Sequence, residues 1–437
     1  MRARFRNSPA LPMAVAAGCV AAVATVTTAV QLIDATAGTG IEFTQANSPT
    51  QSKYLPETMG GGVALFDYDN DGRLDIFFVN GASIKDPMPP GGMPDKSDRK
   101  FWNRLYRQNP DGTFTDVTEK AGLTGLPQNR YGMGVAVGDF DNDGFEDIYV
   151  TGFGGNTLYH NNGNGTFSDV TARAGVEAGG WSTSAGFLDY DNDGKLDLLV
   201  ATFQNEPKAL YHNDGNGLFS DLSMPSGLGS VTAPFVAFGC KFFDYDNDGL
   251  LDLILANGHV QDNIQAINRS VTYRQPTQLM HNEGGSPVTF RDASASSGPD
   301  LQRPIVGRGL AVGDYDNDGK LDVLVVDAEG KPLLLHNQVA RAGNWLGVKL
   351  IGTRSNRDGY GARLTAQFGG RSLLRQCQSC GSYLSASDRR VHFGLGAATS
   401  VDTLTVEWPS HTVSVYHNVR ANRYITIREG DLRVLAR

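Results

Sequence analysis

Basic residues are in short supply in this chain. Lys and Arg number 38 against 47 Asp and Glu, for a formal net charge of −9. Phosphate binding needs clustered Lys and Arg, so this balance argues against nucleic acid as a partner. Charged residues of both signs make up only 19%. No GxSxG, HExxH or phosphate loop occurs, so three common catalytic and nucleotide-binding signatures are missing. Cysteine is scarce, at four. Cys240 lies in an apolar strand-like stretch and reads as a small buried side chain. Cys377 and Cys380 form a CxxC, read as a short-loop disulfide or as unpaired thiols. Zinc would need more ligands and no second CxxC exists, while a redox role lacks its βαβ context.

Long uncharged runs are rare too. Residues Ala10 to Val30 follow Arg2, Arg4 and Arg6, and residues 1–30 read as an export signal. The 21-residue run is long enough to span a membrane, but its Ala and Thr are poor membrane formers, so a cleaved signal is expected. A cut near Ala29 is preferred to one at Ala35-Thr36-Ala37. Ala16-Ala17-Gly18-Cys19 has some likeness to a bacterial lipidation site. Membrane attachment follows only if the segment stays uncleaved or is lipidated. The expected compartment is secreted, periplasmic or extracellular.

Glycine, at 53, is abundant and points to many tight turns. The acidity gathers in short clusters, and these repeat. The nonapeptides are DYDNDGRLD at 67–75, DFDNDGFED at 139–147, DYDNDGKLD at 189–197, DYDNDGLLD at 244–252 and DYDNDGKLD at 314–322. Their starts lie 72, 50, 55 and 70 residues apart, which suits four-stranded propeller blades, two of them with insertions. Each loop sits between apolar strands such as GVALF at 62–66 and IFFV at 76–79. A short LYHN-type strand, a glycine turn and a TFxDVT-type strand follow. The last repeat lacks its final strand, and QLIDATAGTGI at 31–41 reads as the missing copy, closing the ring from the N-terminus. The fold class is therefore all-β, a β-propeller over 31–340 with five blades counted and a seven-bladed ring as the alternative. The alternative would need C-terminal strands.

Within each loop, Asp fills positions 1, 3, 5 and 9, and position 6 is Gly. The candidate metal ligands are Asp67, Asp69, Asp71 and Asp75; Asp139, Asp141, Asp143 and Asp147; Asp189, Asp191, Asp193 and Asp197; Asp244, Asp246, Asp248 and Asp252; and Asp314, Asp316, Asp318 and Asp322. Alternate carboxylates in a tight turn can converge on one point, and glycine supplies the left-handed backbone. Hard oxygen ligands on a flexible loop suit Ca²⁺ better than Mg²⁺. About five Ca²⁺ ions are expected. An EF-hand is excluded, because position 12 holds Phe78, Val150, Val200, Leu255 and Val325 in place of Glu. Without metal, the loops would be Asx turns only.

These loops and flanks resemble FG-GAP/VCBS repeats, as in integrin α-subunit propellers. Downstream, NWLGVKLIG at 344–352, GYGARL at 359–364, GSYLSASDRRVHFGLG at 381–396, VDTLTVEWPS at 401–410 and ANRYITIREG at 421–430 resemble an ASPIC/UnbV domain, here 344–430. The combination resembles the cartilage acidic protein family and its bacterial relatives. The resemblance implies an extracellular Ca²⁺-binding propeller with an appended β domain, expected to be sandwich-like, and no catalytic residues.

His160, His212, His281 and His336 recur at one repeat position; on different blades they need not converge, so they read as structural. Trp181 and Trp408 read as partly buried rather than as sugar platforms. His259 and Asp262, in the insertion 257–278, mark the first candidate for a ligand-contacting loop, and the insertion 80–100 the second. The functional expectation is a Ca²⁺-stabilised extracellular interaction or scaffold module, with a protein or glycan partner, and not an enzyme. The alternative is a carbohydrate-active propeller enzyme, a polysaccharide lyase or dehydratase. Membership of a secreted biosynthetic or adhesion complex is a third reading.

Overall fold

Short apolar runs separated by glycine turns can bury themselves only by pairing with their sequence neighbours. The computed structural model describes residues 32–124, 129–139, 141, 143–174, 186–188, 190–193, 197–200, 208–215, 218–340, 342–378, 381–431 and 435–436. The expected export signal, Asp189, Trp181 and Cys380 lie outside these residues. Among the described residues, no helix is long and apolar enough to cross a membrane.

The chain is nearly all β, and its repeats build a β-propeller. Each repeat is a four-stranded antiparallel meander. The first comprises Val63–Phe66, Asp75–Phe78, Arg104–Gln108 and Phe114–Asp116. The second comprises Tyr131–Gly138, Asp147–Phe153, Thr157–Asn161 and Phe167–Asp169. The third holds Gly186–Leu188, Asp197–Val200, Ala209–Gly215 and Leu218–Asp221. The fourth holds Ala237–Phe243, Asp252–Asn257, Gln278–Gly285 and Val288–Asp292. The fifth, Gly307–Gly313, Asp322–Asp327 and Leu333–Asn337, is completed by Leu32–Asp34 from the other end of the chain. Leu32 pairs with Asn337 and Asp34 with Leu335, as the stray N-terminal copy predicts.

The DVT signature has a local cause. Asp116 Oδ1 accepts from Thr118 N at 2.9 Å, and Thr118 Oγ1 in turn accepts from Leu105 N at 3.0 Å. The same staple joins Asp169 to Thr171, Asp221 to Ser223, Asp292 to Ser294 and Asp34 to Thr36. It satisfies backbone donors where each outer strand ends.

Strands from 344 onward pair mainly with each other. One four-stranded sheet contains Asn344–Ile351, Val391–Gly396, Arg423–Arg428 and Leu435–Ala436. The other contains Arg363–Phe368, Arg371–Gln376, Ser400–Glu407 and Val413–Arg420. Leu346, Val348, Phe393 and Ile425 of the first pack with Leu364, Ala366, Leu404 and Tyr416 of the second around one core, so the arrangement is sandwich-like. Trp408 lies in this core, 3% exposed, its Nε1–H donating to Ser414 Oγ at 3.0 Å. Glu429 ties the sandwich's loops together by accepting from the backbone N–H groups of Thr353, Arg354 and Ser355.

Residues 381–388 leave the sandwich and enter the propeller's central channel. Leu65 N donates to Ala386 O and Ala386 N to Val63 O, at 3.0 and 2.9 Å. Val135 N donates to Leu384 O at 2.9 Å, and Asp388 N to Val312 O at 3.0 Å. At the far mouth Tyr383 donates to Met59 O at 2.8 Å and packs edge-on against Phe238. Arg308, fully buried, lies 4.1 Å from the Phe238 ring centroid and donates to the carbonyls of Gly258 and His259 at 3.1 Å each. The inner strands make room with glycine. A Cβ on Gly134 would meet Leu384 at 2.7 Å, and one on Gly309 would meet Gly61 O and Ser385 Oγ.

In an antiparallel meander the first and second connections fall at opposite ends. The insertions 80–100 and 257–278 are second connections, so they lie at the end away from the acidic loops. Lys96, in the first of them, is 5% exposed; its Nζ donates to Asn80 O and, at 2.7 Å, to Gly81 O. Burial, with a smaller push from Arg104, lowers this ammonium from 10.5 to about 7. The folded pKa lies below the unfolded one, so between those values the unfolded chain binds more protons. Stability therefore rises with pH across that window. From pH 7.5 to 9.5 the expected gain is roughly 2 kcal/mol, read as a higher urea midpoint. Lys96→Met should flatten the slope; an unchanged slope would assign it to another group.

Candidate metal centres

The acidic loops join the first and second strands of each blade, all at one end of the propeller. Glycine at position 6 takes the left-handed backbone, with φ of 92° at Gly72 and Gly249, 100° at Gly144 and 89° at Gly319. The turn delivers two N–H groups to the first Asp. Asp244 Oδ1 accepts from Asp248 N at 3.1 Å and Oδ2 from Gly249 N at 2.8 Å. Asp314 and Asp139 repeat the pattern. The Asp at position 9 is pinned from both sides. Asp252 Oδ2 accepts from Tyr245 N at 3.3 Å, and Oδ1 from Asn282 N at 2.8 Å.

Position 4 links the loops. Asn70, Asn247 and Asn317 all have φ near 60°. Asn70 Nδ2 donates to Gly144 O at 2.8 Å, Asn247 to Gly319 O at 2.9 Å, and Asn317 to Gly72 O at 3.4 Å. These bonds join the fourth loop to the fifth, the fifth to the first and the first to the second.

The Asp residues at positions 3 and 5 of four loops gather with the recurrent histidine: Asp141, Asp143 and His160; Asp191, Asp193 and His212; Asp246, Asp248 and His281; Asp316, Asp318 and His336. In the first loop Asp67, Asp69 and Asp71 gather. The histidines are spread over four blades and do not converge, as the repeat spacing implies. Sequence reasoning missed that each belongs to its own blade's acidic loop. His281 Nδ1 lies 3.0 Å from Asp252 Oδ1, and His212 Nδ1 lies 3.1 Å from Asp191 Oδ2. The signal was present in the His-Asn pair that recurs in the third strand of each of these blades, whatever the length of the connection before it.

Crowding these carboxylates has an electrostatic cost. Burial pushes Asp252 up to about 7 and Asp322 up to about 6. Asp246 rises to about 6, through burial and then repulsion from Asp248. Asp244 rises well above the usual range through burial and repulsion from Asp252, Asp248 and Asp246. Asp246 Oδ1 is buried and has no hydrogen-bond partner among the described residues. Crowded hard oxygens with one orphaned inward fit a divalent cation.

The C-terminal strands cap this rim. Lys349 Nζ lies 3.4 Å from Asp67 Oδ2. Arg375 donates to Asn192 Oδ1 at 2.6 Å and Gly249 O at 3.2 Å, and Arg390 to Asp314 O at 2.7 Å. Tyr424 donates to Asp314 Oδ2 at 2.5 Å, while burial keeps Asp314 raised.

Other sequence candidates fare differently. His259 is 1% exposed and its Nδ1 accepts from Gln261 N at 3.0 Å, so it serves its own loop. Asp262 is half exposed and pairs with Lys53. Cys377 is a free thiol, 1% exposed, within 3.6 Å of the carbonyls of Asp358 and Arg389. Cys240 is also a free thiol, pushed up to about 11 by burial.

Residues 90–150, 139–200 and 189–255 match the FG-GAP-like repeat, and 352–434 match ASPIC and UnbV. The chain is thus an FG-GAP repeat protein with a C-terminal ASPIC/UnbV segment. It is homologous to cartilage acidic protein 1. Identity to the Mus musculus protein is 29% over 366 residues, 80% of this chain and 51% of that protein. To the Homo sapiens protein it is 28% over 392 residues, 85% and 53% of the two chains. The chain spans about half the length of these curated relatives. Among solved structures it is similar to the Dos1 propeller, at 11% identity, with a TM-score of 0.20 and coverage of 87% and 90%.

Proposed function

We propose that this chain is an exported Ca²⁺-binding propeller that serves as an extracellular interaction or scaffold module. The observation that carries the reading is the repeated crowding of raised-pKa carboxylates in DxDxDG loops, with a buried oxygen of Asp246 left unpaired. Ca²⁺ sites of extracellular modules commonly have Kd of about 10⁻⁴ to 10⁻³ M, and loops in that range fill where Ca²⁺ is near millimolar, outside the cytosol. The partner is proposed to be an extracellular protein or a glycan, met on the exposed faces. A catalytic reading needs converging polar groups in an open pocket. Here residues 381–388 occupy the channel, which favours the module reading. The test is calorimetric titration of the full chain with Ca²⁺. Several ions should bind, with Mg²⁺ a poor competitor, and Asp246→Asn with Asp248→Asn should remove one. A chain that takes up no Ca²⁺ would leave the loops as turns and end this reading.

A further inference from the structure

The first acidic loop departs from the others at one position. In four blades the residue before the strand-ending Asn is His160, His212, His281 or His336; in the first blade it is Arg107, before Gln108. The register is the same. Gln108 N donates to Asp75 Oδ1 at 2.8 Å as Asn282 N does to Asp252 and Asn337 N to Asp322. Only the side chain differs, and its chemistry differs in two ways. Arginine stays charged at all accessible pH, and its fork holds several carboxylates at once.

Arg107 uses that fork. Its Nε lies 2.6 Å from Asp69 Oδ2 and its Nη2 lies 2.7 Å from Asp71 Oδ2. Arg73 also pairs with Asp71, and Lys349 approaches Asp67 Oδ2 at 3.4 Å. Three of the four carboxylates of this loop therefore face fixed cations. In the fourth loop Arg371 donates to Asp248 O and Arg375 to Gly249 O, and in the fifth a single loop lysine, Lys320, pairs with Asp318, so among the described residues neither loop has two of its carboxylates bridged by one guanidinium.

We infer that the first loop carries its own counter-ion, the Arg107 guanidinium, and takes up Ca²⁺ at least tenfold more weakly than the loops served by histidine. The inference rests on the Ca²⁺ reading above and narrows it from about five equal sites to four strong ones. An arriving Ca²⁺ would compete with the guanidinium for the lone pairs of Asp69 and Asp71 and would be repelled by it. Asp67 Oδ1 and Asp69 Oδ1 remain buried and unpaired, so the site is weakened rather than abolished.

The test exchanges the residue both ways in the full chain, with Ca²⁺ itself as the probe. Titration calorimetry and native mass spectrometry count the ions. Wild type should show four ions in the strong phase. Arg107→His, the residue the other blades carry at this register, should raise the count to five. His281→Arg should lower it to three. Arg107→Gln gives a second route if the histidine variant folds poorly, and it should strengthen first-loop binding at least tenfold. Five equivalent ions in wild type, or a first-loop affinity unmoved in both Arg107 variants, overturns the inference. No ion in wild type overturns the Ca²⁺ reading instead, so the two failures are distinct.

Discussion

Chelation with EDTA is expected to lower the melting temperature by on the order of 10 °C. At a free Ca²⁺ about tenfold above Kd, each site adds about 1.4 kcal/mol by mass action. Four strong sites then add about 6 kcal/mol, a large share of the stability of an ordinary domain. A chain of this size shifts by roughly 2 °C for each kcal/mol. The metal-free state is strained for a reason visible in the loops. Asp252 and Asp246 are held up near 7 and 6 because burial and neighbouring carboxylates disfavour their charged forms. Ca²⁺ removes that penalty, and Mg²⁺, with its stricter octahedron, should rescue poorly. Asp191→Ala with Asp193→Ala should remove one site and about a quarter of the shift, or more if the loops are coupled. Identical melts with and without EDTA would show that no ion stabilises the fold.

The second large effect lies in the channel. Gly134→Val would place a Cβ 2.7 Å from Leu384 Cβ and 2.9 Å from its Cα. The inner strand is held by Val135 N to Leu384 O at 2.9 Å, so neither side can retreat without breaking that bond. The expected loss is about 3 kcal/mol, at the upper end for overpacking. Leu384→Gly, which removes the Cβ and the Cδ2 that also lies 2.7 Å away and suits the φ of 54° at this position, should recover part of it, with a coupling of about 1 kcal/mol in a double-mutant cycle. Strictly additive losses would mean that residues 381–388 do not occupy the channel in solution. Thermal or urea melts of the four proteins decide.

Much of this architecture could be read from the sequence because repetition amplifies weak signals. One DxDxDGxxD is ambiguous, but five at blade-like spacing, each flanked by the same strands, fix the meander. QLIDATAGTGI found its place because Asp34 and Thr36 keep the staple that Asp169 and Thr171 make. The histidines were harder. Their recurrence before an Asn was visible, but which side of the strand faces the loop depends on register. The seating of GSYLSASD could not be read at all. Its bonds are mostly main-chain, Ala386 to Val63 and Leu384 to Val135, and main-chain groups leave no mark on residue identity. The glycines that admit it, such as Gly134 and Gly309, looked like ordinary strand glycines. In the sequence Arg107 is only a variant spelling of the repeat, LYRQN at 105–109 in place of LYHN, because its reach to Asp69 and Asp71 is a matter of three-dimensional length.

The N-terminal strand has a consequence for how the protein is made. Leu32–Asp34 finds its partner only when Leu333–Asn337 has been synthesised. At about 5 to 20 residues per second, that delay is roughly 15 to 60 s. Throughout it the growing array is an open arc with an uncovered blade face at each end and Leu32–Asp34 without its partner strand, and residues 381–388 have yet to appear. The last blade joins the two most distant parts of the propeller chain, a pairing of very high contact order. A nascent chain is therefore most exposed to edge-to-edge association just before its final blade emerges. Folding yield should then depend more on the rate of chain delivery, and on holdase protection during that interval, than on the stability of the finished ring.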